Sequence, residues 1–223
     1  MHNVILMEFE FIKWLGHASF VFEDNGKTVY IDPFKTRNTE KKADVILVTH
    51  PHFDHFYVES ITALSKPSTK IYVTKDSIVK LRGHNVTGVE PFKEYNIEGM
   101  KVKTVPAYNV VRERLDKHPK ANNWVGYVIE TNGKRIYHAG DTDEIPEMKD
   151  IRADLALLPM DGTYTMDVDE VIKASGSIAA ARIAPIHYRN LLGKKGSEEA
   201  EKKFLDKVKK GIILDEEDPS YSF

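Results

Sequence analysis

Residues 50–55 read His50-Pro51-His52-Phe53-Asp54-His55, so four side chains able to ligate a cation fall within six positions, directly after the apolar run Val45-Ile46-Leu47-Val48. A short apolar, β-branched run closed by Thr49 has the character of a buried strand, which puts the histidines on a turn at its carboxyl end. On a tight turn the alternate residues His50 and His52 converge on one cation while Asp54 and His55 face a second, the arrangement from which two-metal hydrolytic sites are built. Burying three imidazoles and a carboxylate together without a cation is costly. The chain has no cysteine, which excludes disulfides, thiolate metal sites and a cysteine nucleophile, so any metal is held by nitrogen and oxygen.

Around this cluster the 223 residues alternate between short strand patterns and a few helices. Alternating apolar positions over 8–13, 19–23 and 28–31 predict an opening β meander with Asp24-Asn25-Gly26-Lys27 as a hairpin turn. Further strands are expected at 45–49, 71–74, 101–105, 124–130, 135–138, 154–159 and 182–186. Helices are expected at 58–64, at 77–82 with Gly83 closing it, at 168–180, and at 198–210 with Ser197 as N-cap and Gly211 beyond its end. The segment Asn25-Gly26-Lys27-Thr28-Val29-Tyr30 leads to Asp32, and Asn132-Gly133-Lys134-Arg135-Ile136-Tyr137 leads to Asp141. In each, a hairpin returns along a strand and delivers a carboxylate near its carboxyl end, where open sheets place function. The echo predicts two related β-rich halves, about 1–105 and 106–223, packed as a single domain over 1–223 and meeting at one site. The polar stretches 33–43 and 108–123 are expected to be long functional loops.

These residues resemble the metallo-β-lactamase-fold hydrolases over nearly the whole chain. The HxHxDH pattern after Thr49 is similar to that family's signature, and Asp32 to its first motif. Asp141 in His138-Ala139-Gly140-Asp141-Thr142 is similar to its bridging carboxylate, and His187 in Ala184-Pro185-Ile186-His187-Tyr188 to its last metal-binding histidine. More narrowly, Gly16-His17-Ala18 and Gly162-Thr163-Tyr164-Thr165-Met166 resemble the branch that includes ascorbate-phosphate lactonase-like proteins and the N-acylphosphatidylethanolamine-hydrolysing phospholipase D. The resemblance implies an α/β fold, a four-layer αββα sandwich of two β-sheets flanked by helices. It implies that His50, His52 and a third histidine hold metal 1, that Asp54, His55 and His187 hold metal 2, and that Asp141 bridges them. The family places the third histidine in a Pro-Ala-x-His context, whereas here Pro106-Ala107-Tyr108 is followed by Asn109. His118 is the expected substitute, since the loop has the reach; Asn109 or water in that position is the alternative, and Asn109 is otherwise a substrate contact. Asp32 is expected to orient a metal-binding histidine by accepting its other N–H. His17 is expected at the site rim against substrate, His138 in the core, and His2 and His84 at the surface.

Two cations held through Asp141 would also share a water and bring its pKa from ~15.7 toward neutrality, so that hydroxide is the expected nucleophile. The expected reaction is hydrolysis of an ester, lactone or phosphodiester bond, with Asp54, Asp32 and His118 in the catalytic set and His118 or a metal-bound water protonating the leaving group. Zn²⁺ is the default for two divalent ions, and the same ligands admit Mn²⁺ or Fe²⁺. Redox relatives of the fold commonly carry Glu at the second motif histidine, so His52 argues for hydrolysis. The competing readings are a nuclease, because relatives of this fold cut RNA, and a non-catalytic metal-binding or interaction domain, motivated by Asn109. Lys and Arg total 32 against 34 Asp and Glu, a net charge of −2 that makes no electrostatic case for nucleic acid or an anionic membrane as obligatory partner. No apolar run approaches the roughly 18–20 residues of a membrane span, and the first residues lack a secretory pattern. A cytoplasmic enzyme acting on a small molecule is expected, and the resemblance implies a homo-oligomer.

Overall fold

The computed structural model describes residues 8–36 and 41–217. They form two compact units, one reaching Gly88 and rejoined by the segment from Leu214, the other spanning Val89–Ile213.

The first unit is built on a mixed sheet in the order β1-β2-β3-β4-β5-β6. Its strands are β1 Ile12–Gly16, β2 Ser19–Asp24, β3 Lys27–Ile31, β4 Val45–Leu47, β5 Lys70–Thr74 and β6 Asn85–Val89. Strands β1 to β3 pair antiparallel, whereas β3, β4 and β5 run parallel. The hairpin between β2 and β3 places Asn25 at φ 48° and Gly26 at φ 74°, the left-handed pair that a two-residue turn requires to match strand twist. Helix α1, Val58–Leu64, packs Ile61 and Leu64 against Tyr30, Ile46, Val48, Ile71 and Val73. Because β3 and β4 are parallel, their carboxyl ends lie on one edge and release Asp32 and residues 49–55 side by side.

The second unit repeats the plan, with a mixed sheet in the order β12-β11-β10-β9-β8-β7. Its strands are β7 Glu94–Ile97, β8 Met100–Pro106, β9 Val125–Thr131, β10 Lys134–His138, β11 Arg152–Pro159 and β12 Ala179–Ile186. A hairpin at Asn132 (φ 50°) and Gly133 (φ 70°) joins β9 to β10, and β10, β11 and β12 are parallel. The crossover from β11 to β12 is helix α2, Val168–Ser177, opened by a capping box between Asp167 and Glu170. Helix α3 spans Arg189–Lys207. The parallel strands deliver Asp141, Asp161 and His187 from the ends of β10, β11 and β12.

Several elements differ from the sequence expectations. The strand expected from residue 8 starts at Ile12, whose N–H closes a turn onto the Phe9 carbonyl at 3.0 Å. The segment expected as a helix at 77–82 is a 3₁₀ turn, Lys75–Leu81. The Thr74 hydroxyl, at the N-cap position, bonds to the Asp76 side chain at 2.6 Å instead of capping the backbone. The helix expected to start after Ser197 begins at Arg189, and Gly193 at φ 65° breaks its path, a conformation open to glycine. Ser197 therefore lies inside α3, which ends at Lys207 rather than Lys210, and α2 stops at Ser177. Strands β6 and β7 were not expected because they are short and largely polar. His138 is buried and accepts the Gly140 N–H at 3.2 Å, and His84 is half-buried rather than exposed. His2 and positions 37–40 of the first loop lie outside the described residues. Among those described, no helix is long and apolar enough to cross a membrane.

A Cβ placed at Gly126 on β9 would meet the Ala139 carbonyl oxygen at 2.6 Å and that of His138 at 2.7 Å. Backbone cannot yield there without moving the segment that leads to Asp141. Gly126→Ala is expected to lower the unfolding free energy by about 1–3 kcal/mol in urea denaturation; a loss below about 0.5 kcal/mol would show that this strand end shifts freely.

Candidate metal centre

In the first unit the chain turns at Asp32, immediately after β3. The Asp32 carboxylate is fully buried. Its Oδ1 accepts the Thr49 N–H at 2.8 Å, and its Oδ2 accepts the Thr49 hydroxyl and His55 Nδ1–H, each at 2.7 Å. The single Thr49 hydroxyl proton is thus committed to Asp32, so the hydroxyl oxygen is the acceptor for His50 Nδ1 at 3.0 Å. His50 and His55 both carry their proton on Nδ1 and offer Nε2 as a lone pair, the form in which imidazole ligates. His50 Nε2 lies 3.1 Å from His52 Nδ1, and the His50 and His55 rings are 4.1 Å apart. The half-buried Asp54 presents Oδ2 at 3.9 Å from His55 Nε2, and receives the Nε2–H of buried His17 at 2.9 Å. One donor atom each of His17, Asp54 and His55 lies within 4.8 Å of the others.

In the second unit Asp141 Oδ2 lies 3.2 Å from His118 Nε2 and 3.4 Å from His187 Nε2, all three residues being buried. The other nitrogen of His187 faces Asp161 Oδ2 at 3.2 Å. Asp161 is itself fixed by the N–H groups of Thr163 at 2.7 Å and Tyr164 at 2.6 Å and by the Thr165 hydroxyl at 2.5 Å. Burial alone would push its pKa up; the contacts with His187, the Thr165 hydroxyl and the Tyr164 N–H outweigh that and hold it below its ordinary 3.8. Asp161 therefore stands to His187 as Asp32 stands to His55.

The loop after β8 returns His118 to the side of Asn109, the position where a histidine was expected. The Asn109 N–H donates to the His118 carbonyl at 2.8 Å. Its side-chain nitrogen lies 2.9 Å from the Arg114 carbonyl, 2.8 Å from that of Tyr164 and 3.1 Å from His118 Nδ1. The His118 ring rests edge-on to Trp124 with centroids 5.7 Å apart. Both Asn109 and His118 are buried in a segment whose polarity reads as an exposed loop.

His17, Asp32 and His187 have φ of 53°, 44° and 59°. A non-glycine residue held there costs of order 1–3 kcal/mol and persists only where surrounding bonds over-determine it. The donor set is imidazole and carboxylate with preset tautomers, which fits a divalent cation. Sequence reasoning missed Asp161 and the pair Arg114 and Asp143. Asp161 carried a usable signal, a carboxylate at a strand end before Gly162, as Asp32 and Asp141 are carboxylates at strand ends.

A carboxylate whose folded pKa lies below its unfolded value adds stability that is complete above the unfolded pKa and fades as pH falls through the folded one. Asp161→Asn is expected to cost about 1–3 kcal/mol near neutral pH. The gap from the parent should hold steady above the unfolded carboxylate pKa of about 4 and narrow as urea titrations are carried below it; a gap that does not narrow on acidification contradicts the assignment.

Residues 11–187, which include every donor described above, match the family model for the Beta-lactamase superfamily domain. A UPF0173 metal-dependent hydrolase from Thermus thermophilus is 34% identical over 190 residues, covering 79% of this chain and 83% of the relative. One from Thermoplasma acidophilum is 37% identical over 191 residues, covering 79% and 82%. The crystal structure of a candidate metal-dependent hydrolase from Parabacteroides distasonis aligns with a TM-score of 0.80 at 32% identity, over 92% of this chain and 93% of that one.

Proposed function

This chain belongs to the β-lactamase superfamily and, within its metallo-β-lactamase-fold hydrolases, to the UPF0173 metal-dependent hydrolases, and on that premise we propose that it is a cytoplasmic, zinc-dependent enzyme that hydrolyses an ester, lactone or phosphodiester bond in a small molecule. The observation that carries the reading is the pair of preset imidazoles, His50 held at Nδ1 by Thr49 and His55 held at Nδ1 by Asp32, which leaves Nε2 as the unprotonated nitrogen of each ring. We assign His50, His52 and His118 to one divalent ion, Asp54, His55 and His187 to a second, and Asp141 to both. Imidazole and carboxylate donors suit Zn²⁺, and Mn²⁺ or Fe²⁺ loading is the alternative that metal analysis would reveal. When bound, the ions supply Lewis acidity that polarises the scissile group and lowers the pKa of water.

The chain's own residues orient that chemistry. Asp32 and Asp161 hold the rings of His55 and His187 from behind, and the His17 N–H fixes the Asp54 carboxylate. Burial of Asp141, His118 and His187 keeps bulk water from these side chains, and electrostatic interactions with substrate are stronger in such a site. The lactone in the substrate class rests on Gly16-His17-Ala18 and Gly162–Met166, the segments similar to lactonase-like proteins.

The test is a panel of aryl esters, lactones, a phosphodiester and single-stranded RNA, presented to protein stripped by chelator and reloaded with Zn²⁺. Turnover of a small substrate is expected only after reloading. His52→Ala should lower kcat/KM by more than about 100-fold, beyond the range seen for outer-shell partners of a metal. Equal turnover by stripped and reloaded protein would overturn the proposal, as would cleavage of RNA alone.

A further inference from the structure

We propose that Arg114 and Asp143 are positioning residues for His118: a buried ion pair that folds the loop after β8 back on itself so that His118 stands at Asp141. The inference rests on the reading of His118 as a cation ligand. Among the described residues of this loop, the only helical turns are Arg112–Arg114 and Lys120–Asn122, yet Asn109 and His118 are buried. Irregular backbone that buries polar side chains has to be tied down by specific partners.

Asp143 provides them, two residues beyond Asp141. Its Oδ2 accepts the N–H groups of Val110 at 2.7 Å and Val111 at 2.8 Å, and its Oδ1 accepts Arg114 Nε–H at 2.6 Å. Its own N–H donates to the Tyr108 carbonyl at 3.1 Å, which also receives the Thr142 hydroxyl at 3.0 Å. The start of the loop is thereby laced to the segment that carries Asp141. Arg114 Nη2 reaches both carboxylate oxygens of Glu170 at 2.7 Å, and Glu170 is the capping-box residue of α2. The guanidinium thus anchors the loop to a helix start. From Arg114 the connection runs through its carbonyl to the Asn109 side chain, and from the Asn109 N–H to the His118 carbonyl.

This arrangement also accounts for asparagine at position 109. One amide nitrogen donates to two carbonyls at once, those of Arg114 and Tyr164, which a single imidazole nitrogen cannot do. Burying an ion pair contributes little net stability, because desolvation offsets the attraction; its best-attested use is to fix register. The register fixed here is the 3.2 Å between His118 Nε2 and Asp141 Oδ2.

The test is a Co²⁺ titration of the full chain, read by visible absorption and by competition with a chromophoric chelator. It compares the parent, Arg114→Gln, His118→Ala and the double variant, with circular dichroism as the check on folding. Glu170→Gln, at the more exposed end of the network, is the milder variant should Arg114→Gln not fold. Arg114→Gln, or Glu170→Gln in its place, is expected to weaken the His118-dependent binding step by about 10- to 100-fold and to shift the Co²⁺ spectrum as His118→Ala does. In the His118→Ala background either change should have no further effect. Parent-like binding by a folded Arg114→Gln or Glu170→Gln overturns the inference, and so does an equal loss in both backgrounds, which is the mark of general structural damage. Parent-like binding by His118→Ala would instead remove the ligand reading, and the inference with it.

Discussion

A carboxylate with no exposed surface is tolerable only when its lone pairs are engaged, and the way Asp32 meets that condition sets the geometry around it. Its oxygens take the N–H and hydroxyl of Thr49 and the Nδ1–H of His55. Thr49, having given its proton away, accepts from His50. One buried charge therefore decides which nitrogen of two imidazoles faces outward, before any ion arrives. Removing Asp32 would leave several polar groups without their acceptor and both rings without a preferred tautomer.

The second unit solves the same problem with different residues. Asp161 takes the place of Asp32, His187 that of His55, and the Thr165 hydroxyl fills a role like that of Thr49. The common cause is topology. In each unit a hairpin feeds parallel strands, parallel strands share a carboxyl edge, and side chains on consecutive strand ends come within hydrogen-bonding reach. The left-handed backbone at Asp32 and His187 is where these chains leave their strands, and buried hydrogen bonds sustain it.

What could be read from the sequence was what is local. His50 to His55, Asp32, Asp141 and His187 sit at strand ends and declare themselves by residue type and spacing. The two Asn-Gly hairpins were legible because the left-handed turn tolerates few other pairs. The departure at Asn109 pointed to His118, and the structure brings the two together. Asp161, Arg114 and Asp143 were not legible because their roles are made by partners far along the chain; Arg114 and Glu170 are 56 residues apart. Strands β6 and β7 escaped for lack of an apolar run, and the extended start of α3 escaped because Gly193 interrupts its pattern.

The central claim is that the protein sets the tautomers of the imidazoles proposed to hold the metal. The most direct measurement is a long-range proton–nitrogen correlation spectrum of the metal-free protein, labelled with ¹⁵N-histidine and assigned with His50 and His55 variants. The account predicts His50 and His55 as neutral rings protonated at Nδ1 and bare at Nε2, and loss of that preference in Asp32→Asn. Protons on Nε2 of either ring, or rapid averaging between the two nitrogens, would contradict it.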